Sequence, residues 1–293
     1  MTTHSYKSRN HFNSNRTFGV EIETKNLLRE QFVSRCTAEG IQMHDMRGYT
    51  HGHQHTWKIV TDASLGTNGL EIVSPPLKGE EGLEEVAKVM RIAVACGATV
   101  DQTCGFHIHH GCGEYTPEQA AGVLLWYAKY EPVIDSLVAP SRRQGNIYCA
   151  SLRKSTNLIE GIQWVLDGAR QNRTMENLSA WFAETRNTSH GRYHKVNLAS
   201  WQNYGTIEFR QHQGTLNGEK AKAWIIFTQR IVERGARGRI RVTEPSRMDF
   251  AEVIRMLGMQ DSQTNGDPII AFAREYLKRR IDQLAARSAR RRA

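Results

Sequence analysis

The sequence predicts a single domain of the α+β class, with strands distributed along the chain and helices between them. Strict alternation of apolar and polar residues indicates the strands, and apolar residues at helical spacing indicate the helices. Neither an internal repeat nor a Pro- or Gly-rich linker divides the 293 residues. A chain of this length supports one large domain or two small ones, and the unbroken pattern favours one.

The first third of the chain is expected to form three strands. Residues 17–24 (TFGVEIET) alternate between apolar and largely acidic side chains, which is typical of a half-buried strand. Further strands are predicted at 57–61 and at 69–73, where a Ser-Pro-Pro sequence ends the last one.

A helix is predicted over residues 79–96, because apolar residues recur there at helical spacing and Gly97 follows where a C-cap glycine is expected. An alternating strand should come next, at 103–110. Thr116 then begins a long helix, with a proline in its first turn and Gln119 closing a capping box.

The second half of the chain is expected to contain more helix than strand. Residues 155–184 are predicted to be helical, although two glycines weaken the pattern. The expected core residues of this region are Trp164, Val165, Leu178, Trp181 and Phe182. Strands are predicted at 195–199 and 206–212, and helices at 218–234, 246–257 and 268–284.

The composition is that of an ordinary globular protein. With 39% hydrophobic and 24% charged residues, it argues against a disordered chain, a collagen-like repeat or a coiled coil. The chain has no apolar run of the roughly 18 residues that a membrane span needs, and its polar start carries no apolar signal segment. We therefore expect a cytoplasmic protein without membrane contact. Five cysteines without a CxxC pair indicate reduced, mostly structural thiols.

The excess positive charge, +9 in total, is concentrated near the C-terminus. Residues 278–293 hold seven basic residues and one acid. Such a tail can contact a nucleic-acid backbone or an acidic partner. A solvated helix end with a frayed terminus is the favoured interpretation.

A short His-rich tract is formed by His51, His53 and His55. It could be a second metal site or a phosphate contact. The flanking Gly and Gln residues favour a loop instead.

Four of the predicted strands share an unusual polar face. One face of each is conventionally apolar, whereas the other carries acidic, imidazole or guanidinium groups. These polar residues are Glu21, Glu23, Glu71, His107, His109, Glu208 and Arg210. If the strands lie in one sheet, the side chains converge, and their carboxylates repel one another unless cations neutralise them.

The alternative is a solvated sheet face with cross-strand salt bridges. Such a face usually mixes Lys, Thr, Ser and Gln among its acids, but Lys is missing from these four predicted strands. A bound divalent cation is the simplest source of charge balance, and a set of four Glu with one or two His suits Mg²⁺ or Mn²⁺ better than zinc. Because Mg²⁺ completes its coordination with water and substrate phosphates, this pattern indicates nucleotide chemistry, in which Arg210 could bind a phosphate.

Five motifs in a fixed order resemble the amidoligase family, a distant relative of glutamine synthetase and glutamate-cysteine ligase. They are FGVEIE, D-x-S-L with G-L-E-I-V-S-P-P-L, C-G-F-H-I-H, R-Y-x-K-x-N and T-I-E-F-R-Q-H-Q-G-T-L, and they lie between Phe18 and Trp224. The resemblance implies a curved antiparallel β-sheet funnel of the glutamine synthetase-like catalytic type, flanked by helices. We place this catalytic domain at residues 17–265, followed by a C-terminal helix with a basic tail at 266–293. The helices between 151 and 188 are expected to cover the mouth of the funnel.

The resemblance also implies an activity and its cofactors. Members of this superfamily are ATP-dependent carboxylate-amine ligases, which form an amide or peptide bond through an acyl phosphate at a two-metal site. ATP and Mg²⁺ (or Mn²⁺) are therefore the expected cofactors. A carboxylate and an amine are the expected substrates, each of which could be a small molecule, a peptide or a protein.

Residue roles follow from the same resemblance. Glu23 and Glu71 resemble the ligands of one metal. The ligands of a second metal, nearer the transferred phosphate, are expected to be Glu21, His107 and Glu208.

Arg210 resembles the arginine that neutralises charge on the phosphoryl group, and His109 resembles a substrate or nucleotide contact. Together with Glu208 they form the expected catalytic set. Contacts with the nucleotide phosphates are expected at Arg192, Lys195, Asn197 and Arg210. Asp62 is a further candidate for metal or amine binding.

A second hypothesis belongs to a different class of protein. The chain could be a basic nucleic-acid-binding protein or a metal-dependent nuclease, whose acidic face binds metals for phosphodiester cleavage while the basic tail holds the strand. Salt-sensitive retention on DNA that is lost on removal of residues 285–293 would favour this hypothesis.

Overall fold

The computed structural model describes residues 10–46, 55–66, 68–143, 145–182, 191–238 and 249–290. Its strands are β1 (Phe18–Lys25), β2 (Met43–Asp45), β3 (Trp57–Thr61), β4 (Gly69–Val73), β5 (Gly105–Gly111), β6 (Val196–Asn197) and β7 (Thr206–Gln213). Its α-helices are α1 (Arg29–Ala38), α2 (Gly79–Ala95), α3 (Pro117–Asp135), α4 (Thr156–Asp167), α5 (Met175–Ser179), α6 (Trp201–Tyr204), α7 (Gly218–Gly235), α8 (Phe250–Met256), α9 (Asp261–Thr264) and α10 (Pro268–Arg290).

The described strands form one seven-stranded sheet in the order β2-β3-β4-β1-β5-β7-β6. The pairing of β2 with β3 is parallel, and all other neighbouring pairs are antiparallel. The predicted α+β class, with a mostly antiparallel sheet, is therefore confirmed. The curvature of the sheet into a funnel of the glutamine synthetase-like type stays a prediction.

Alternation along the strands divides the sheet into two chemically different faces. On β1, Phe18, Val20 and Ile22 are almost fully buried in the hydrophobic core. Helices α3 and α7 cover this face: the Tyr127 ring packs edge-on against Phe209, and a hydrogen bond joins the α7 residue Thr228 to a histidine of β5. The intervening residues of the same strands therefore point to the opposite, polar face.

The helix signals in the sequence correspond to physical caps. The Thr116 side chain accepts a hydrogen bond from the Gln119 backbone N–H, and the Gln119 side-chain oxygen accepts one from the Thr116 backbone N–H, so the predicted capping box is confirmed. Gly97 has a φ of +85° just after α2, as the C-cap prediction requires.

Several boundaries differ from the sequence prediction. Helix α1 and the three-residue strand β2 were not predicted, because α1 buries only two residues and its apolar periodicity is weak. The strand predicted at 195–199 is confined to two residues in β6. The helix predicted at 246–257 is described only from residue 250 onwards, and the C-terminal helix continues past 284 to Arg290.

The region 155–182 is helical as predicted, in two α-helices and short 3₁₀ turns. Val165, Leu178 and Phe182 are buried, but Trp164 is 52% exposed, so its assignment to the core is wrong. Helices α4 and α5 pack against α3. The expectation that residues 151–188 cover a funnel mouth stays a prediction, and its residues 183–188 lie outside the described residues.

The structure also bears on the His-rich tract, the cysteines and the basic tail that the sequence analysis singled out. His51 and His53 lie outside the described residues, and His55 is exposed in a bend before β3. All five cysteines are buried free thiols. The basic tail is helical up to Arg290, and within it Arg280 is buried. None of the described helices has the length and apolar character that a membrane span requires.

Candidate active site

The polar face of the sheet forms the floor of a cavity of about 850 Å³. Strands β1, β3, β4, β5 and β7 contribute its floor, and the loops around residues 142–148 and 192–204 contribute its walls. All seven residues of the predicted polar face line this cavity: Glu21, Glu23, Glu71, His107, His109, Glu208 and Arg210. The convergence that the sequence predicted is therefore present in the structure.

Strand register explains why these side chains meet. Glu23 of β1 is paired directly with Glu71 of β4. On the other side of β1, Glu21 is paired with His107 of β5. Directly opposed residues on one face have their Cβ atoms only about 5 Å apart, so each pairing brings two metal-binding groups together.

The first ligand group consists of Glu21, His107 and Glu208. Their ligand atoms all lie within 4.8 Å of one another. The His107 Nδ1 atom is 2.9 Å from Glu21 Oε2 and 4.0 Å from Glu208 Oε1. Both His107 and Glu208 are buried, so water solvates this group poorly.

The second ligand group consists of Glu23, Glu71 and His107, again within 4.8 Å. The His107 Nε2 atom is 3.6 Å from Glu23 Oε1. The other oxygen of Glu23, Oε2, accepts a hydrogen bond from the backbone N–H of Gly105. His107 therefore lies between the two groups, with one ring nitrogen facing each.

The carboxylates of these groups are electrostatically unbalanced. Burial, together with the negative charges of Glu21 and Glu23, raises the pKa of Glu71 well above its usual value. The neighbouring Glu21 behaves in the opposite way: burial opposes its charged form, but hydrogen bonds with His107 and His109 outweigh burial, so its pKa is well below the usual value. The two histidines therefore stabilise the ionised form of Glu21, whereas the neighbours of Glu71 are mostly acidic and disfavour its ionised form.

Arg210 supplies part of the missing charge. Its Nη1 atom donates a hydrogen bond to Glu208 Oε1 at 2.5 Å, and its Nε donates to the carbonyl oxygen of Tyr148. Burial opposes ionisation of Glu208, but the charge of Arg210 outweighs it and lowers the pKa of that carboxyl. The guanidinium also lies 5.5 Å from the Tyr193 ring centroid, which helps to hold it at the cavity wall.

His109 also faces the cavity. Its Nδ1 lies 3.1 Å from Thr206 Oγ1, and its Nε2 lies 3.3 Å from Glu21 Oε1. Burial lowers the pKa of His109, but the carboxylates of Glu21 and Glu208 outweigh burial, and the net effect is a raised pKa. Its ring is thus suited to a polar contact within the cavity.

The four residues predicted to contact phosphate are not equivalent. Arg192 is exposed at the cavity wall, and Arg210 lies inside. The buried Asn197 lies behind the wall, where its side chain donates hydrogen bonds to the Arg192 carbonyl oxygen and to Glu208 Oε2. Asn197 can therefore orient the Glu208 carboxylate from behind the cavity wall.

The prediction for Lys195 is wrong. The side chain of this residue is fully buried, and its Nζ lies 2.9 Å from Glu131 and 2.6 Å from Asp135 of helix α3. Because β6 begins only at Val196, the alternation that places Asn197 on the cavity side does not extend back to Lys195. Lys195 therefore joins the sheet to α3, on the side away from the cavity.

Two charged residues that line the cavity were missed by sequence reasoning. Lys58 of β3 lines the cavity, and the alternation of that strand could have revealed it. Arg142 also lines the cavity but is the last residue of a one-turn 3₁₀ helix in a region without periodicity, so no local signal was available. Asp62, the further candidate, is a cavity residue as well.

The donor set fits a divalent cation. Four glutamates and one imidazole converge on two small volumes, and burial together with the charges of Glu21 and Glu23 raises the pKa of Glu71 there. Oxygen-rich ligation of this kind suits Mg²⁺ or Mn²⁺.

Comparison with known proteins places the chain in a family. The family model described as "Putative amidoligase enzyme" matches residues 14–232, so the chain belongs to the amidoligase family. No curated protein matches the chain. Solved structures do match, among them one described as "Crystal structure of novel glutamine synthase homolog". That structure shares 14% identity with the chain at a TM-score of 0.40, over 93% of this chain and 68% of its own. These comparisons do not support the nucleic-acid-binding or nuclease hypothesis.

Proposed function

We propose that the protein is an ATP-dependent carboxylate-amine ligase that forms an amide or peptide bond through an acyl phosphate. The observation that carries this proposal is the convergence of four glutamates, His107 and Arg210 in one cavity of a chain that belongs to the amidoligase family. Phosphoryl transfer needs little covalent help from a protein, but it needs exact positioning and neutralisation of negative charge. The residues of this cavity are suited to both tasks.

Two cation positions are assigned to the ligand groups. Glu23 and Glu71 hold one Mg²⁺ or Mn²⁺, and Glu21 with Glu208 holds the other. A neutral imidazole has one lone pair to donate, so His107 serves a single cation. We assign it to the Glu21 group, because its Nδ1 is closer to Glu21 than its Nε2 is to Glu23. When bound, such cations neutralise charge on phosphoryl oxygens.

The reaction has two steps. In the first, an oxygen of the carboxylate substrate bonds to the γ-phosphorus of ATP, the bond to the bridging oxygen breaks, and ADP leaves. In the second, the amine nitrogen bonds to the acyl carbon, the bond to the phosphate oxygen breaks, inorganic phosphate leaves, and the proton lost by the amine passes to solvent water. Arg210 neutralises charge on the transferred phosphoryl group, and Arg192 contacts the nucleotide at the cavity wall. His109 contacts the nucleotide or the substrate, and Asp62 is positioned to attract the amine.

A coupled assay for ADP release tests this function. Pairs of amino acids, peptides and polyamines are screened with ATP and Mg²⁺, because a hit names the carboxylate and the amine together. For the active pair, Glu23→Gln and Glu208→Gln are each expected to lower turnover by at least about 1,000-fold, since each removes a charge that positions the phosphoryl group. The matched control is Glu84→Gln, which changes an exposed glutamate on α2 that pairs with Lys222.

The assay has a clear contrary result. If Glu23→Gln and Glu208→Gln turn over ATP like the parent protein in the presence of the substrate pair, the assigned site is wrong. Circular dichroism of each variant shows whether a loss of turnover comes with a loss of folded structure.

A further inference from the structure

Arg142 is a buried cation that the proposed reaction does not use. Arg142 is the last residue of the 3₁₀ turn Pro140–Arg142, and it is 3% exposed. Its Nη2 donates hydrogen bonds to the carbonyl oxygens of Thr103, at 3.2 Å, and of Cys104. No carboxylate among the described residues lies within 4.0 Å of its guanidinium group. A buried guanidinium without an acidic partner is costly, so its position calls for an explanation.

The peptide group between Cys104 and Gly105 connects Arg142 with one of the candidate metal ligands. The carbonyl oxygen of Cys104 and the N–H of Gly105 are the two ends of the same peptide group. That N–H donates to Oε2 of Glu23, one of the residues that can hold a cation. A single peptide group therefore connects the Arg142 guanidinium with the Glu23 carboxylate.

A positive charge at the oxygen end of a peptide group strengthens the donor at its nitrogen end. The stronger hydrogen bond from the Gly105 N–H holds Oε2 of Glu23 against the backbone. The other oxygen, Oε1, then faces His107 at 3.6 Å, within the group that includes Glu71. The arrangement resembles the outer-shell contacts that orient metal-binding carboxylates in other proteins.

Arg142 is itself held in place by a buried network. Its carbonyl oxygen accepts a hydrogen bond from Gln211 Nε2, and the same Nε2 donates to Asp135 Oδ1. Asp135 also accepts a hydrogen bond from Lys195 Nζ at 2.6 Å. The network thus runs from helix α3 through β7 to the start of β5, and Arg142, at its end, also lines the cavity.

We propose that Arg142 is a positioning residue for the Glu23–Glu71 cation site. It acts through the peptide group between Cys104 and Gly105, which orients Glu23. Within the part of the chain that the structure describes, the N–H of that peptide group donates to Glu23 and not to Glu21 or Glu208, so we expect Arg142 to act on one cation site and not on the other. This inference rests on the proposed function for its two cation positions, but it concerns metal binding alone.

Titration of the purified protein with Mn²⁺, without ATP or substrate, tests the inference. Calorimetry gives the affinities, and the electron paramagnetic resonance spectrum of bound Mn²⁺ reports its coordination. We expect Arg142→Met to weaken the Glu23–Glu71 site by about 10- to 100-fold, the range for loss of an outer-shell partner, and to leave the other site within about 2-fold. Glu71→Gln marks the titration step that belongs to the Glu23–Glu71 site. Arg142→Lys, which keeps a charge and a donor, should recover part of the affinity.

Two controls separate positioning from folding. Arg143→Met changes the neighbouring arginine, whose Nε donates to the Val138 carbonyl oxygen instead, and it should leave both sites unchanged. The Cys104 carbonyl oxygen also accepts a hydrogen bond from Gly214 N–H at 2.7 Å, so the backbone pairing survives in Arg142→Met. A general loss of structure would weaken both cation sites together.

The contrary outcomes are distinct. If wild-type protein binds two Mn²⁺ ions and Arg142→Met retains both affinities, or loses both equally, the inference is overturned and the proposed function is unaffected. If wild-type protein binds no Mn²⁺, the two-metal assignment fails, and the inference fails with it. If both sites behave as expected but no substrate pair releases ADP, only the proposed function is contradicted.

Discussion

The backbone N–H of Gly105 donates a hydrogen bond to Oε2 of Glu23, and the same glycine leaves no room for a side chain. A Cβ atom at position 105 would lie 2.5 Å from His107 Nε2 and 3.3 Å from Glu23 Oε2. The start of β5 therefore approaches the candidate metal ligands as closely as a backbone can. Only glycine permits this approach without moving His107.

The first prediction concerns this contact. Gly105→Ala should displace the His107 ring and lower the affinity for Mn²⁺ by at least about 10-fold, since a shifted ligand costs as much as the loss of an outer-shell partner. Calorimetric titration with Mn²⁺ measures the effect. Gly113→Ala is the matched control, because a Cβ at that exposed position meets no atom closer than 3.9 Å. Equal affinities in the two variants would show that His107 tolerates the displacement or does not bind the ion.

The second prediction concerns charge repulsion at Glu71. Burial and the neighbouring carboxylates raise the pKa of Glu71, so its ionised form destabilises the metal-free protein at neutral pH. Glu71→Gln should therefore raise the unfolding temperature in EDTA by about 1–3 °C. In Mn²⁺ the same variant should be less stabilised than the parent, because a ligand is lost.

Differential scanning calorimetry at pH 7, with EDTA or with Mn²⁺, checks the second prediction. The control is again Glu84→Gln, whose side chain is exposed and pairs with Lys222. If Glu71→Gln lowers stability in EDTA, then Glu71 makes a favourable contact in the metal-free protein and the repulsion argument is wrong.

The third prediction separates a structural lysine from an arginine at the cavity wall. Lys195→Met leaves Glu131 and Asp135 buried without their cation, which should destabilise the fold by about 3–5 kcal/mol. Arg192→Met removes an exposed side chain and should change stability by less than about 0.5 kcal/mol. Urea denaturation followed by circular dichroism measures both free energies of unfolding. Comparable stability of the two variants would mean that the ion pairs of Lys195 contribute little.

The fourth prediction contrasts a buried tryptophan on α3 with an exposed tryptophan on α4. Trp126 of α3 is 1% exposed and packs against Tyr130, so Trp126→Ala should cost about 3–5 kcal/mol. Trp164 of α4 is 52% exposed, and Trp164→Ala should cost about 1 kcal/mol or less. Thermal unfolding distinguishes the two. A large loss for Trp164→Ala would indicate that its ring packs more extensively than its exposure implies.

Much of the sheet could be predicted from the sequence, because strand alternation is a local property. In β1, β4, β5 and β7, apolar residues bury one face against helices, so the glutamates and histidines between them must share the other face. Pairing of those strands then brings Glu23 opposite Glu71 and Glu21 opposite His107. The cavity residues could thus be identified before any distance was known.

The rest could not be predicted, because it depends on contacts between distant segments. Lys195 and Asn197 are separated by one residue, yet one is bound to helix α3 and the other to Glu208. Arg142 contacts Thr103 and Cys104 only because a loop after α3 folds back to the start of β5. Neither placement follows from periodicity, since both lie where regular structure ends.

The sequence by itself determined the α+β class, the polar face and the acidic and imidazole residues that it carries. It did so because successive side chains of a strand point to opposite faces, so burial of the apolar residues on one face places the residues between them on the other face. Tertiary structure alone decided which of the protein's own cations lie near those acids: Arg210 contacts Glu208, Lys195 is bound to α3, and Arg142 and Glu23 bond to opposite ends of one peptide group. The interaction between two charges depends on the distance between them, and the distance between residues remote in sequence is fixed only when the chain folds.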